Sequence, residues 1–227
     1  MFKLVAATIA LSLTFAACTP MSAVTTTANL RVAHLSPNTP NVDVVLDGRT
    51  VLVNVPFKAV SAYLKVPTGP HDISVFVAGT TTNPAIQVKG ITLEAKNYTV
   101  GAIGLLSGAG TQALKAQVYV DDLSVNATKA RVRVIHASPD APNVDVAVQG
   151  GGAIVVTNLA YPTATTTYLE LAAGVAALEI RATDSSAAVF KFNTPALESG
   201  KVYTVFAVGR LGTAGEFGVL PVGDAAQ

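Results

Sequence analysis

A fourteen-residue segment occurs twice in this chain, starting at Arg31 and again at Arg133, and ten of its fourteen residues are identical. The first copy reads Arg31-Val-Ala-His-Leu-Ser-Pro-Asn-Thr-Pro-Asn-Val-Asp-Val44, the second Arg133-Val-Ile-His-Ala-Ser-Pro-Asp-Ala-Pro-Asn-Val-Asp-Val146. A match at fixed spacing means one unit used twice, so each unit must build its core from about a hundred residues. Weaker matches follow in the same order. Tyr63-Leu64 returns as Tyr168-Leu169, Gly69 as Gly174, and Tyr98-Thr-Val100 as Tyr203-Thr-Val205. The offset drifts from 102 to 105 between these pairs, which places about three added residues in the second copy, at the Gly150-Gly-Gly152 turn.

Within each unit the apolar residues alternate, as in a half-buried strand. Val42, Val44 and Leu46 share one face, and Asp47-Gly48 marks a hairpin before Val51, Val53 and Val55. Tyr63 to Val66 stops at Pro67-Thr-Gly-Pro70, and Ile73, Val75 and Val77 form the next face. Tyr98 to Leu105 is nearly continuous apolar sequence, which predicts a central strand covered on both sides. No helical periodicity of ten residues or more follows the N-terminal segment. Seven or so short strands per unit predict an all-β chain of two tandem immunoglobulin-like β-sandwich domains, over 29–123 and 130–227. The six residues of 124–129 are the expected linker, and no long apolar surface flanks them, so modest contact between the domains is expected.

The N-terminus has its own signal. Lys3 precedes fourteen uncharged residues, Leu4 to Ala17. At about 1.5 Å per residue they reach roughly 21 Å, short of the roughly 30 Å hydrocarbon core, so 1–17 reads as a signal peptide. Cys18 is the only cysteine and cannot form an intramolecular disulfide. Phe15-Ala-Ala-Cys18 resembles the bacterial lipobox, whose cysteine is acylated and becomes the mature N-terminus. Thr19 in the next position resembles lipoproteins released to an outer membrane, where the cell has one. Residues 18–28, rich in Thr, Ser and Ala, read as a flexible tether. Ordinary cleavage near Ala17, leaving a free thiol, is the alternative.

Removing residues 1–17 leaves 14 basic and 14 acidic residues with no Lys/Arg cluster, so nothing marks a nucleic-acid partner. The repeated motif gathers His34, Ser36 and Asp43, and again His136, Ser138 and Asp145. Two prolines three apart stiffen a corner between strands. In the structural reading, the histidine hydrogen-bonds a corner carbonyl or the Asp carboxylate, and His34 with Asp43, like His136 with Asp145, latches the corner. The catalytic reading lacks an exposed elbow or an oxyanion hole, and no Gly-x-Ser-x-Gly stretch exists. A metal reading finds one His and one Asp per unit, too few for most centres, and Ala176 replaces His71 in the second copy. Gly104, Gly108 and Gly110 read as turns and not as a phosphate loop. No catalytic residue, metal ligand or cofactor is therefore assigned.

The string His-x-Ser-Pro-x-x-Pro-x-Val-Asp-Val, followed by Tyr-Leu before a Gly turn and by Tyr-Thr-Val, resembles the bacterial and archaeal domain-of-unknown-function family number 4397. The resemblance spans nearly the whole chain after Cys18 as two copies, and it implies secreted or envelope β-domains without implying an activity. Together these readings predict a non-enzymatic cell-envelope lipoprotein. The membrane would hold it through its N-terminal lipid, and its tandem domains would bind an envelope or surface-layer protein or act as a spacer. The competing class is an envelope metal-binding or copper redox enzyme.

Overall fold

The computed structural model describes residues 26–225; Cys18, the signal segment and the tether up to Thr25 lie outside the described residues. The first copy contributes β1 (Thr27–His34), β2 (Val42–Leu46), β3 (Arg49–Val55), β4 (Leu64–Pro67), β5 (Gly69–Val77), β6 (Ile86–Leu93), β7 (Asn97–Ile103) and β8 (Lys115–Asp121). The second contributes β9 (Ala130–His136), β10 (Val144–Val148), β11 (Ile154–Leu159), β12 (Leu169–Leu171), β13 (Ala177–Ala182), β14 (Ala188–Asn193), β15 (Val202–Val208) and β16 (Gly218–Asp224). Thr27 and Ala28 therefore belong to β1 and not to the tether. Ala28 is fully buried in the first core, because pairing with Val66 of β4 draws it in.

Each copy is two four-stranded sheets face to face. The first has the orders β4-β1-β7-β8 and β3-β2-β5-β6, and the second repeats them as β12-β9-β15-β16 and β11-β10-β13-β14. Eight strands thus replace the expected seven, and β1 pairs parallel with β7, as β9 does with β15. The immunoglobulin-like description holds for the two-sheet architecture. The Asp47-Gly48 hairpin turns with φ of 50° and 77°, as a type I′ turn requires.

Alternation along β1 settles where each face goes. Leu30 and Val32 enter the core of the first sandwich with Val44, Ile73 and Val100. Ala33 and Leu35 point the other way and pack with Ile103 and Tyr119 against Ile135, Ala137, Phe206 and Val208 of the second copy. The β1 and β9 sheets therefore stack on each other, and the molecule is four β-layers deep. The expected modest contact between domains is corrected by this shared core. It could not be seen around the linker, because its residues sit on alternate positions of β1, β7, β9 and β15. The continuous apolar run in β7 is covered on both faces as expected, and the second cover is the other domain.

The added residues of the second copy are also redistributed. Asn54 and Asn158 are equivalent, both with positive φ, so the Gly150 turn holds two of the three. The bridges Ala33–Val60 and Ile135–Ala164 keep that offset. The third lies between Thr165 and Tyr168, where Thr166-Thr167 replaces the single Ala62.

Candidate functional site

The repeated motif folds as a corner at the end of β1 and again at the end of β9. His34 Nε2–H donates to the Pro40 carbonyl (3.1 Å), and Nδ1 accepts the Ser36 N–H (3.4 Å). His136 does the same with Pro142 (2.9 Å) and Ser138 N–H (3.3 Å). An acceptor role at Nδ1 requires a neutral ring. Burial pushes both histidines below the usual imidazole range, against the smaller opposing effect of the carbonyls they bond. Neither ring touches the motif aspartate, so the proposed His–Asp latch is corrected: the histidine closes the corner and the aspartate fastens something else. Successive strand residues face opposite sides, and Asp43 and Asp145 lie past the corner on the far side of their strands.

Asp43 Oδ1 accepts the Asn54 N–H (2.7 Å) and Oδ2 the Gly79 N–H (3.0 Å). These two bonds hold its carboxyl below the usual carboxylate range. Asp145 Oδ1 accepts the Asn158 N–H (2.7 Å) and the Thr183 hydroxyl (3.0 Å). Each aspartate thus pins a bulge, where a left-handed asparagine breaks the register of the β2–β3 and β10–β11 pairs. Asp145 is buried and Asp43 half-buried. Asp145→Ala should cost about 1–2 kcal/mol in a urea melt, since two donors lose their acceptor. The same change at Asp43 should cost less. An Asp145→Ala melt matching the parent would show that the bulge does not need its carboxylate.

Ser36 Oγ donates to the Gly104 carbonyl (2.6 Å) and lies 2.6 Å from Thr39 Oγ1. Asn38 Oδ1 accepts the Leu106 N–H (2.9 Å), and Asp140 takes the Leu211 and Gly212 N–H groups (2.7 and 2.9 Å). The corner is thereby stapled to the β7–β8 and β15–β16 loops. A side chain at Gly104 would meet the Ala113 carbonyl at 2.3 Å, and its φ is +90°, so that loop requires glycine there. The triad residue types form no relay, because the aspartate lies past the corner and the imidazole faces the serine's backbone and not its oxygen. Among the described residues no three His, Cys, Asp or Glu side chains gather as metal ligands.

The most concentrated chemistry lies between the domains, at residues that motif reasoning passed over. Arg31 and Arg133 open the two copies of the motif, and each is 2% exposed. Arg133 Nη2 donates to Asp121 Oδ1 (2.6 Å) across the interface, and Arg31 Nη1 lies 2.7 Å from Asp224 Oδ1. Arg31 Nε donates to Thr99 (2.8 Å), and the Thr99 and Tyr63 hydroxyls both donate to Asp121 Oδ2 (2.6 Å each). Thr204 mirrors Thr99 by donating to Asp224 Oδ2 (2.6 Å) and accepting from Arg133 (3.0 Å). Burial is the largest single effect and works against the Arg133 cation, but the charge and hydrogen bond of Asp121 together with Tyr168 and Asp224 outweigh it and raise its pKa. Burial and the same carboxylate push the Tyr63 hydroxyl far above its usual range, so it stays a donor. A signal existed in the sequence: an arginine inside an alternating apolar strand, present in both copies. Its partners, at the ends of β8 and β16, carry no motif.

Two arginines and two aspartates on a pseudo-two-fold interface neutralise one another, and their chemistry is cohesion. Comparison with known proteins agrees with the repeat. No curated protein matches the chain. The family model described as Domain of unknown function (DUF4397) matches residues 28–147 and again 130–227. The motif corners and the shared interface are thus the frame of a tandem-repeat protein, and this chain belongs to the DUF4397 family.

Proposed function

We propose that the chain is a non-enzymatic cell-envelope lipoprotein, held to a membrane through acylated Cys18, whose paired sandwiches act as a rigid binding or spacer module or as an accessory subunit of a surface assembly. The observation that supports this reading most is the buried Arg–Asp lattice between the domains. A spacer or presenting scaffold must keep its ends at fixed separation, and a shared core with cross-domain ion pairs does so where a bare linker does not. The motif residues are consistent with it, since His34, Ser36, His136 and Ser138 are all buried and bonded to their own backbone or nearby side chains.

Fractionation tests the anchor. The parent protein is expected in the membrane fraction with an acyl mass on Cys18, and Cys18→Ser is expected to be soluble or unprocessed. A mature N-terminus elsewhere without an acyl mass would remove the lipoprotein. Crosslinking in native membranes followed by mass spectrometry is expected to recover an envelope partner. Recovery of the chain alone would leave only the spacer role.

A further inference from the structure

Within the buried Arg–Asp lattice the pseudo-two-fold breaks at the tyrosine. In the first copy Tyr63 is 7% exposed, its ring lies under the Arg31 guanidinium (4.9 Å), and its hydroxyl bonds Asp121. The equivalent Tyr168 should fill the same space and bond Asp224. Thr166-Thr167 bends the chain just before it, although β12 keeps the register of β4. The Tyr168 hydroxyl instead accepts the Asp122 N–H (3.2 Å), and its ring sits farther from Arg133, at 5.5 Å.

Two buried atoms register the displacement. Asp224 Oδ1 has only its ion pair with Arg31, without the alignment of a hydrogen bond. Arg133 Nε is buried with no hydrogen-bond partner among the described residues, whereas its counterpart Arg31 Nε is bonded to Thr99. Arg133 lines a cleft of about 360 Å³ between the domains, with Tyr119, Asp122, Arg131, Tyr168 and Glu170. Residues 164–167 form its wall and also wall a second cleft of about 440 Å³ that runs along β11. Both volumes are ligand-sized.

From this geometry we infer that the groove over Thr165–Tyr168 binds a neutral, hydroxyl-rich ligand, a short uncharged oligosaccharide. Neutrality follows from the lining charges, each of which is already paired: Arg131 with Asp122 (2.7 Å), Arg133 with Asp121 (2.6 Å), and Glu170 with Lys129 (3.8 Å). An ionic ligand would have to displace a partner. What remains to be satisfied is hydrogen-bonding capacity. Arg133 Nε is closed off from solvent, so the donors open to a ligand are the hydroxyls of the wall. The Thr165 oxygen accepts the Val134 N–H (3.3 Å) and the Tyr168 oxygen the Asp122 N–H, so both hydroxyl protons remain to be donated. Thr166 and Thr167 add exposed hydroxyls. Arg131 covers the Tyr168 ring at 4.7 Å, so recognition rests on hydrogen bonds and not on ring stacking.

The inference rests on the binding-module reading and names its ligand class. The test titrates the full chain with maltotriose, mannotriose and chitotriose while following backbone amides by NMR. At least one is expected to shift Arg131, residues 165–168 and Glu170 with an affinity on the order of 1 mM. Deleting Thr167 restores the loop length of the first copy, is expected to let Tyr168 close onto Asp224, and should weaken that binding at least tenfold. Thr167→Ala, which leaves the chain length intact, should weaken it several-fold if the deletion variant fails to melt cooperatively. No shift with any trisaccharide, shifts elsewhere on the surface, or shifts at these amides with an Ala-Thr-Ala peptide only would each overturn the assignment. Failure here with an envelope partner still crosslinked removes the groove alone; binding here by a chain without an acyl group removes the anchor alone.

Discussion

Asp121→Ala is expected to cost about 3–5 kcal/mol, among the largest effects available to a single substitution in this chain. The carboxylate is buried and collects three donors, from Arg133, Thr99 and Tyr63. Removing it leaves the Arg133 cation without its partner inside the interface, and uncompensated buried charge is the costly outcome of breaking such a pair. Asp224→Ala should cost less, since Asp224 holds Arg31 and Thr204 but no tyrosine. Both losses are expected to appear in a single urea transition reported equally by amides of the two copies, because the domains share a core. A cost below about 1 kcal/mol, or two separate transitions, would show that the lattice does not hold the domains together.

Acidification from neutral pH is expected to destabilise the fold well before the carboxylates titrate. His34 and His136 are neutral when folded, with pKa values that burial lowers from the usual 6.5. The unfolded chain therefore takes up protons that the folded one refuses. The stability carried by the neutral rings is fully present above about pH 6.5 and is lost as the pH falls through their folded values. Each ring steepens the decline by up to about 1.4 kcal/mol per pH unit within that window.

His71 runs the other way. Burial lowers its pKa, but Asp47 (2.6 Å) and the Pro67 carbonyl (2.7 Å) outweigh it and raise the value. Its contribution is present below about pH 6.5 and lost as the pH rises through the folded value, so it is silent in the window where the other two act. Urea melts at pH 7.5, 6.5 and 5.5 with histidine ring NMR check this. Either corner histidine titrating in the folded protein at or above 6.5 would sink it.

The corner was legible because its devices are local. Prolines at fixed spacing, a histidine six residues before the carbonyl it bonds, and a serine before proline all act within one turn of chain. The pairing of histidine with aspartate was misread because composition places both in the motif, while strand alternation separates them onto different faces. The Thr166-Thr167 insertion was legible as a drift in offset, but its position was not. Only the bridges Ala33–Val60 and Ile135–Ala164 show that the extra residue lies after Ala164, next to Tyr168, and not in the Gly150 turn.

The sequence by itself determined the unit, its strands and its two-fold use, since alternation, turn residues and self-similarity are properties of neighbours along the chain. Tertiary structure alone decided that the two units share an interface. Arg31 and Asp224 are 193 positions apart (224 − 31), and nothing in either neighbourhood names the other. A buried cation is tolerable only where a distant strand brings an anion to it. Such a pairing is set by which sheet faces stack, and a one-dimensional pattern carries no record of that choice.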